Sequence, residues 1–359
     1  MDLENSYKRY WEYIRQWIAK NKKPPQQNLT PQILQPAPSA TPVQQTSPAQ
    51  PVQQPTPPVT PAQPTPVQPS SQPSTTNKET SMTKKALVVG IDKYKNPAWN
   101  LQGCTMDAAV TSGMLQDHFG FPGGNVRLLL DDRATKANIL ARLDWLVRDA
   151  KPGDVLVFFY AGHGSQVRDR DGDELDDNMD EILCPHDLNW DDPLTDDVLA
   201  QYFGRIPEGV NLTVVFDCCN SGTATRSLYV PVGPDGKFGE PEYKKSRYIA
   251  PPLDIEHRSR GIVLPVVQLG QVVIKNRHTL FSACKSNQEA QEKVIDGQTR
   301  GAFSYYFQAT LKRADWKITN RQAHIDTMTR LKDYGFVQIP QLECPAEFMD
   351  HQLFAPFVK

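Results

Sequence analysis

Two apolar segments of the chain are each followed by a side chain that suits nucleophilic catalysis. Leu212–Phe216 is apolar and β-branched, and Cys219 follows it closely; Asp154–Tyr160 leads in the same way to His163, which stands between two glycines. Both segments have the composition of buried strands in a parallel sheet, and the carboxyl ends of such strands meet at one edge. The sequence therefore predicts a cysteine nucleophile with a histidine partner at that edge.

Two adjacent cysteines compete for the role of nucleophile. Side chains alternate along a strand, so Asp217 and Cys219 should share one face while Cys218 joins Phe216 on the other. A free thiol, with a pKa near ~8.5, is mostly protonated at neutral pH, so it needs a neighbouring base such as His163. We predict Cys219 as the nucleophile and Cys218 as a packing residue.

Strands alternate with helices beyond residue 83, which predicts an α/β fold with a mostly parallel central sheet and helices on both faces. The predicted strands are Lys85–Ile91, Asn125–Leu130, Asp154–Tyr160, Leu212–Phe216, His278–Cys284 and, at an edge, Gln338–Cys344. The predicted helices are Asp107–Phe119, Thr135–Val147, Thr195–Phe203, Ala302–Arg313 and Thr319–Tyr334, with Thr135 and Thr195 as N-caps.

Three regions are expected along the chain. Residues 1–22 form an amphipathic helix with aromatic residues at helical spacing, which docks on its own domain or its own copy, or else on a partner protein or membrane surface. Residues 23–82 form a disordered Pro/Gln-rich linker, because Pro24–Asn77 carries no charge and about half of the 31 prolines. Residues 83–359 form the globular domain. The linker acts as a spacer or as a ligand for proline-recognising domains.

Composition excludes several classes of function. The net charge of −2 gives no global field for nucleic acid. The six cysteines show no spacing for zinc or for a disulfide framework, which suits a reducing compartment. The Gly90 region lacks a nucleotide-binding glycine motif, so we expect no organic cofactor. No signal peptide or transmembrane run is visible, so we expect a cytoplasmic protein with a monomeric catalytic domain.

The pair of motifs around His163 and Cys219 resembles the caspase-like cysteine peptidases, and most closely the metacaspases. The resemblance covers roughly Lys84–Ala314. The family motif Asp-x-Cys-x-Ser-Gly also places the nucleophile at Cys219, and it implies that the backbone N–H groups of Gly164 and Cys219 hold the oxyanion. The Pro/Gln-rich extension resembles the prodomain of type I metacaspases, without the Cys-rich finger that some of them carry.

Asp217 next to the nucleophile would by itself raise the pKa of that thiol by like-charge repulsion, so the carboxylate should serve to bind a cation. The resemblance implies cleavage after Arg or Lys, with an acidic S1 pocket made by Asp217 and Asp107. Asp107 lies in the family's Gly-Cys-x-x-Asp motif, although a carboxylate in the first turn of a helix is also stabilised by the helix dipole alone.

An acidic stretch, Arg168–Glu181, does not fit the EF-hand spacing. It is either a solvated loop or, as the resemblance implies, part of an activating calcium site with Asp180, Asp196 and Asp197 as ligands. Arg226 replaces a further aspartate of the family, and Asn220 stands where the family commonly has histidine.

The segment 226–277 is rich in Lys and Arg and separates a large-subunit-like region, 83–225, from a small-subunit-like region, 278–359. In caspase-like enzymes processing occurs at this junction, and Ile262–Ile274 is apolar enough to pack as a hairpin. The resemblance therefore implies a calcium-activated, self-processing cysteine endopeptidase that acts on proteins or peptides with Arg or Lys at P1, the residue before the cut bond. A catalytically silent binding or signalling module on a flexible tether is the alternative, and a Cys/His hydrolase of a non-peptide amide is a third.

Overall fold

The computed structural model describes residues 82–168, 179–219, 228–229, 242–243, 245–258, 278–285 and 288–357. The predicted N-terminal helix, the predicted linker up to residue 81 and the predicted hairpin at Ile262–Ile274 lie outside the described residues. All described residues belong to the unit Thr80–Lys359, which is distinct from Met1–Glu79.

The strands of this unit are, in chain order, β1 (Lys84–Gly90), β2 (Val126–Leu130), β3 (Val155–Ala161), β4 (Gly164–Arg168), β5 (Met179–Leu183), β6 (Leu194–Thr195), β7 (Asn211–Asp217), β8 (Leu228–Tyr229), β9 (Glu242–Tyr243), β10 (Lys245–Ser246), β11 (Thr279–Ser282), β12 (Gln291–Ile295), β13 (Gln298–Gly301) and β14 (Gln341–Glu343). Six of them form the central sheet, in the order β14-β11-β7-β3-β1-β2. Within the described ranges, smaller sheets have the strand orders β4-β5-β6, β10-β12-β13 and β8-β9.

The central sheet confirms the predicted α/β class. β1, β2, β3, β7 and β11 pair in parallel, and β14 pairs antiparallel with β11 at the edge. β3 is buried along its whole length, and β7 is buried except at Phe216. A strand covered on both faces by helices must be apolar throughout rather than alternating, and these two segments are.

The helices are α1 (Cys104–Phe119), α2 (Lys136–Val147), α3 (Asp196–Phe203), α4 (Leu253–Arg258), α5 (Ala302–Arg313) and α6 (Asn320–Asp333). The predicted N-caps Thr135 and Thr195 are confirmed, since each hydroxyl accepts the N–H of the residue three positions later. These caps were predictable because the donor and the acceptor lie within one turn of each other.

Several features differ from the prediction, among them the small β4-β5-β6 sheet and the helix α4, which were not predicted. α1 begins at Cys104 instead of Asp107, because Asp92 accepts the N–H groups of Cys104 and Thr105 from outside the helix. The β12–β13 hairpin was not predicted, although its turn residues Asp296 and Gly297, both with positive φ, are an Asp-Gly pair typical of tight hairpins. Among the described residues, none of the helices is both long enough and apolar enough to cross a membrane.

Candidate active site

The predicted nucleophile and base leave the sheet at adjacent positions. β3 and β7 are neighbouring parallel strands whose last residues, Ala161 and Asp217, are paired. His163 and Cys219 each follow two residues after that pair. The structure therefore brings both side chains to one edge of the sheet, although their catalytic roles stay predictions.

His163 is almost fully buried, and its ring is held by a backbone carbonyl. Nε2 lies 2.7 Å from the oxygen of Trp99, which ends a short 3₁₀ turn, Pro97–Trp99. A carbonyl oxygen can only accept, so Nε2 carries a proton and Nδ1 is left as the basic nitrogen of the neutral ring. Nδ1 has no hydrogen-bond partner among the described residues. The ring is thus oriented with its basic nitrogen available for a proton.

The pKa of His163 is lowered to about 3, first by burial and then by the positive charges of Lys245 and Arg247. The hydrogen bond to Trp99 acts in the opposite direction. His163 is therefore neutral at physiological pH, mainly because of its burial, and can accept a proton.

Cys219 is fully buried, and its sulfur receives a backbone hydrogen bond. The N–H of Ala290 donates to Sγ over 2.7 Å, and Sγ lies 3.4 Å from the carbonyl oxygen of the same residue. An N–H donor stabilises a thiolate. Burial raises the pKa of the neighbouring Cys218 thiol well above its ordinary value, which suits the packing role predicted for it.

The two predicted oxyanion donors point at one oxygen. The backbone N–H groups of Gly164 and Cys219 donate to the carbonyl oxygen of Arg247, over 3.0 Å and 3.3 Å. Two converging N–H groups are the arrangement that stabilises the oxyanion formed when a carbonyl is attacked. Here a carbonyl of the chain itself lies between them.

The side chain of the same residue fills an acidic pocket. Arg247 Nη2 lies 2.8 Å from Asp107 Oδ2, and Arg247 Nη1 lies 2.9 Å from Asp217 Oδ2, with all three side chains fully buried. A third carboxylate, Glu292, is 3.8 Å from Nη2. The structure therefore brings Asp107 and Asp217 together around a guanidinium, as the predicted pocket requires.

Charge and burial work against each other in this pocket. Burial lowers the pKa of Arg247, but Asp217, Asp107 and Glu292 outweigh it, so the pKa of Arg247 is raised well above its ordinary value. Burial raises the pKa of Asp217, and Arg247 opposes that shift. The pocket carboxylate is therefore ionised most readily when a cation is present.

A second layer of residues orients the pocket carboxylates. Arg300 Nε donates to Asp107 Oδ1 over 2.6 Å, and the N–H of Gly301 donates to Asp107 Oδ2 over 2.8 Å. The N–H of Ser304 donates to Asp217 Oδ2 over 3.0 Å. These residues and Glu292 were not predicted, since they come from β12, β13 and α5, far along the chain, and no local pattern marks them.

Arg247 was also not predicted as a site residue. Arg247 belongs to the segment 226–277, which is rich in Lys and Arg, and its immediate neighbours contain no motif. A basic residue in a chain predicted to cut after basic residues was the only available signal.

The three predicted calcium ligands lie near one end of the β4-β5-β6 sheet. Asp180 is on β5, opposite Val167, and Asp196 and Asp197 form the first turn of α3, directly after β6. All three supply the oxygen ligands that calcium prefers. Among the described residues, a different group has its possible metal-ligand atoms within 4.8 Å of one another. It consists of Asp92, Cys104 and Glu292.

The proximity of Asp92, Cys104 and Glu292 has a structural explanation. Asp92 accepts the N–H of Cys104 over 2.8 Å, and Glu292 accepts the N–H of Gly103 over 3.1 Å. Both carboxylates therefore cap the amino end of α1, where the helix dipole favours negative charge, and they fix the turn that carries Asp107.

Comparisons with known proteins indicate the family of this chain. A family model described as the metacaspase, peptidase C14 domain matches residues 84–227. Metacaspase-1A of Aspergillus oryzae is 33% identical over 291 residues, which cover 73% of this chain and 68% of that protein. Metacaspase-1 of Ajellomyces capsulatus is 32% identical over 290 residues, which cover 73% of this chain and 79% of that protein.

A crystal structure of a Geobacter sulfurreducens protein shares the fold, with a TM-score of 0.54 and 23% identity over 77% of this chain and 100% of that chain. The two fungal relatives carry the functional conclusion, because each exceeds 30% identity over most of its own length. The chain belongs to the metacaspase family of cysteine peptidases.

Proposed function

We propose that this protein is an endopeptidase that cuts after Arg or Lys, with Cys219 as nucleophile and His163 as general base and acid. The observation that supports this specificity is the guanidinium of Arg247, which lies buried between Asp107 and Asp217. A pocket with two buried carboxylates favours a cation and repels an acidic side chain, since an uncompensated buried charge is costly.

Arginine should be preferred over lysine at P1. A guanidinium is planar and offers five donors, so it contacts both carboxylates at once, as Arg247 does. An ammonium is a point charge that would approach one carboxylate more closely than the other. The preference should be modest, because both residues supply the positive charge.

The proposed reaction uses each polar group in turn. His163 Nδ1 takes the thiol proton of Cys219, and the thiolate attacks the carbonyl carbon of the P1 residue. The N–H groups of Gly164 and Cys219 stabilise the oxyanion, and His163 returns the proton to the leaving amine. Trp99 keeps the ring in the tautomer with a basic Nδ1 throughout.

We further propose that calcium activates the enzyme and that it processes itself within the segment 226–277. Asp180, Asp196 and Asp197 would hold the ion, which supplies positive charge to a cluster of carboxylates. β5, which carries Asp180, pairs with β4, whose first residue is the oxyanion donor Gly164. Through this pairing, a calcium ion that fixes Asp180 would also fix the position of Gly164.

The expected cytoplasmic location, the monomeric catalytic domain and the docking of the N-terminal helix belong to the same proposal. They follow from the composition of the chain, and each can be checked by fractionation or by light scattering.

The test is hydrolysis of fluorogenic peptides that differ only at P1, by purified full-length protein with calcium or with excess chelator. We expect turnover in the order Arg, then Lys, with Asp far below, and no turnover by Cys219→Ala. Equal turnover of Asp-terminated peptides would refute the specificity. Binding of Arg peptides without any turnover by the wild type would instead support a silent binding module.

A further inference from the structure

Residues 245–249 cross the candidate site and are bonded to the backbone of other segments on both sides of a bend at Arg247. Lys245 and Ser246 form β10, which pairs antiparallel with the start of β12, and the N–H of Arg247 donates to the oxygen of Ala290 over 3.0 Å. On the other side of Arg247, the N–H of Ile249 donates to the oxygen of Gly164 over 3.1 Å. Peptides bound as an added strand are held by backbone bonds of this kind.

Further contacts fix the register of this segment. The hydroxyl of Ser165 donates to the oxygen of Ile249 over 2.5 Å, and Ile249 itself is buried. Tyr248 forms a parallel bridge with Gly164. The segment is therefore anchored on both sides of Arg247, and neither anchor involves the Arg247 side chain.

Arg247 is the residue at which two independent features coincide. Its side chain lies in the acidic pocket, and its carbonyl oxygen lies between the N–H groups of Gly164 and Cys219. A purely structural buried ion pair would require only the first feature. The second is what a peptide needs when its carbonyl is about to be attacked.

We infer that the Arg247–Tyr248 bond is the self-cleavage site of this enzyme, that it is cut in cis, and that until the cut Arg247 blocks the entry of other substrates. This inference rests on the proposed peptidase function and deepens it, because it names the bond and the inhibitory segment.

The step balances as an acyl transfer followed by hydrolysis. The thiolate of Cys219 bonds to the carbonyl carbon of Arg247, the C–N bond to Tyr248 breaks, and the proton held by His163 goes to the new amino group of Tyr248. Water then attacks the thioester and gives one proton to His163, which passes it to the departing sulfur of Cys219, and the new carboxyl group releases its proton to solvent. The products are a carboxylate at Arg247 and a restored thiol at Cys219, with no co-reactant other than water.

The tether explains both the cis reaction and the inhibition. A segment joined to its own site has an effective concentration in the ~mM range or above, so another chain competes poorly with it. After the cut, the piece that ends in Arg247 can dissociate and take two positive charges, Lys245 and Arg247, away from His163. Burial is the larger cause of the low His163 pKa, and these charges add to it.

The experiment follows full-length wild type in calcium by intact mass and N-terminal sequencing. The expected new amino terminus is Tyr248. The first-order rate constant should not change when the protein is diluted about 50-fold, because a reaction within one chain does not depend on the concentration of other chains. Cys219→Ala should stay intact. Arg247→Lys should be cut at the same bond more slowly, whereas Arg258→Gln, a matched loss of one basic residue in the same segment, should be cut like the wild type.

Arg247→Gln separates cleavage from inhibition. It should resist the cut before Tyr248 yet hydrolyse Arg peptides without prior processing. An uncharged glutamine forms no ion pair with Asp107 or Asp217, so it should not keep an Arg peptide out of the pocket. A first cut at another bond, equal cutting of Arg247→Gln at Tyr248, a rate that rises with concentration, or Arg247→Gln that is folded but inactive on peptides would each overturn the inference. If Arg247→Gln does not fold, the Tyr248 terminus of the wild type and the Arg247→Lys rate still decide.

These results also separate the inference from the proposed function. Arg peptides hydrolysed by a chain that stays intact, or is cut elsewhere, would overturn only the inference. If neither the chain nor Arg peptides are cut in calcium, the proposed function fails and the inference fails with it.

Discussion

Gly301 lies against Asp217 so closely that a side chain at this position would overlap Asp217 Oδ2 and come within 2.5 Å of Arg247 Nη1. The only atom that fits there is hydrogen. Gly301 therefore leaves room for the Arg247 guanidinium beside Asp217, and its N–H also donates to Asp107.

Gly301→Ala should reduce the kcat/KM for Arg peptides roughly 10- to 100-fold, mainly through KM, because overpacking a filled site costs about 1–3 kcal/mol. The measurement is steady-state kinetics of the processed enzyme. Gly113→Ala is the matched control, since a Cβ at Gly113 meets nothing within 4 Å. Unchanged KM in Gly301→Ala would show that the pocket lies elsewhere.

Asp217→Asn or Asp107→Asn should depress cleavage after Arg and Lys roughly 10²–10³-fold, because breaking one partner of a buried ion pair costs about 3–5 kcal/mol. Kinetics with Arg, Lys and Gln at P1 measure the effect, which should vanish for Gln. Asp132→Asn, at an exposed position, is the control. Equal losses for all three peptides would indicate misfolding instead of lost specificity.

Cys219→Ala should abolish peptide cleavage, since removal of a nucleophile costs several orders of magnitude in rate. Cys218→Ala should keep most of the activity of the folded enzyme and lose only about 1 kcal/mol of stability, a typical cost for one substitution. Activity and thermal melting of both variants provide the comparison. Loss of activity in Cys218→Ala alone would reverse the assignment.

The buried His163 should make the folded state of the uncut chain less stable in acid. Its pKa is lowered by burial from 6.5 to about 3, so its contribution to stability is complete above pH ~6.5 and is lost as the pH falls toward ~3. The test uses Cys219→Ala, which stays uncut. Its free energy of unfolding should fall between pH 7 and pH 4.5, and adding His163→Gln should make that fall smaller by about 2–3 kcal/mol, at about 1.4 kcal/mol per pKa unit.

Denaturant unfolding of both proteins at the two pH values measures that difference. Identical pH dependence with and without His163 would mean that the ring is readily protonated in the folded chain.

Calcium should raise peptidase activity with a half-maximal concentration of about 10⁻⁴–10⁻³ M, the range of sites with few charged ligands. Asp196→Ala should need more calcium or fail to respond, while Asp132→Ala should respond like the wild type. The measurement is a calcium titration of Arg-peptide hydrolysis. Full activity in excess chelator, unchanged by Asp196→Ala, would remove the metal from the mechanism.

The sequence by itself predicted most strands of the central sheet, the main helices and four polar residues of the candidate site, His163, Cys219, Asp107 and Asp217. Thr135 and Thr195 cap helices through bonds within one turn, and β3 and β7 follow from continuous apolar runs, so local chemistry was sufficient for both. The alternation of strands and helices then placed His163 and Cys219 at one sheet edge, because parallel strands end together.

Only the tertiary structure decided which distant residues complete the site. Trp99 orients His163 through its carbonyl, which no side-chain pattern reveals. Arg247 enters the pocket because β10 pairs with β12, and strand pairing between distant segments depends on the whole fold. Nothing in its neighbouring residues distinguishes Arg247 from the other basic residues of the segment, since its partners Asp107 and Asp217 are far away in the chain and only folding brings them within hydrogen-bond distance.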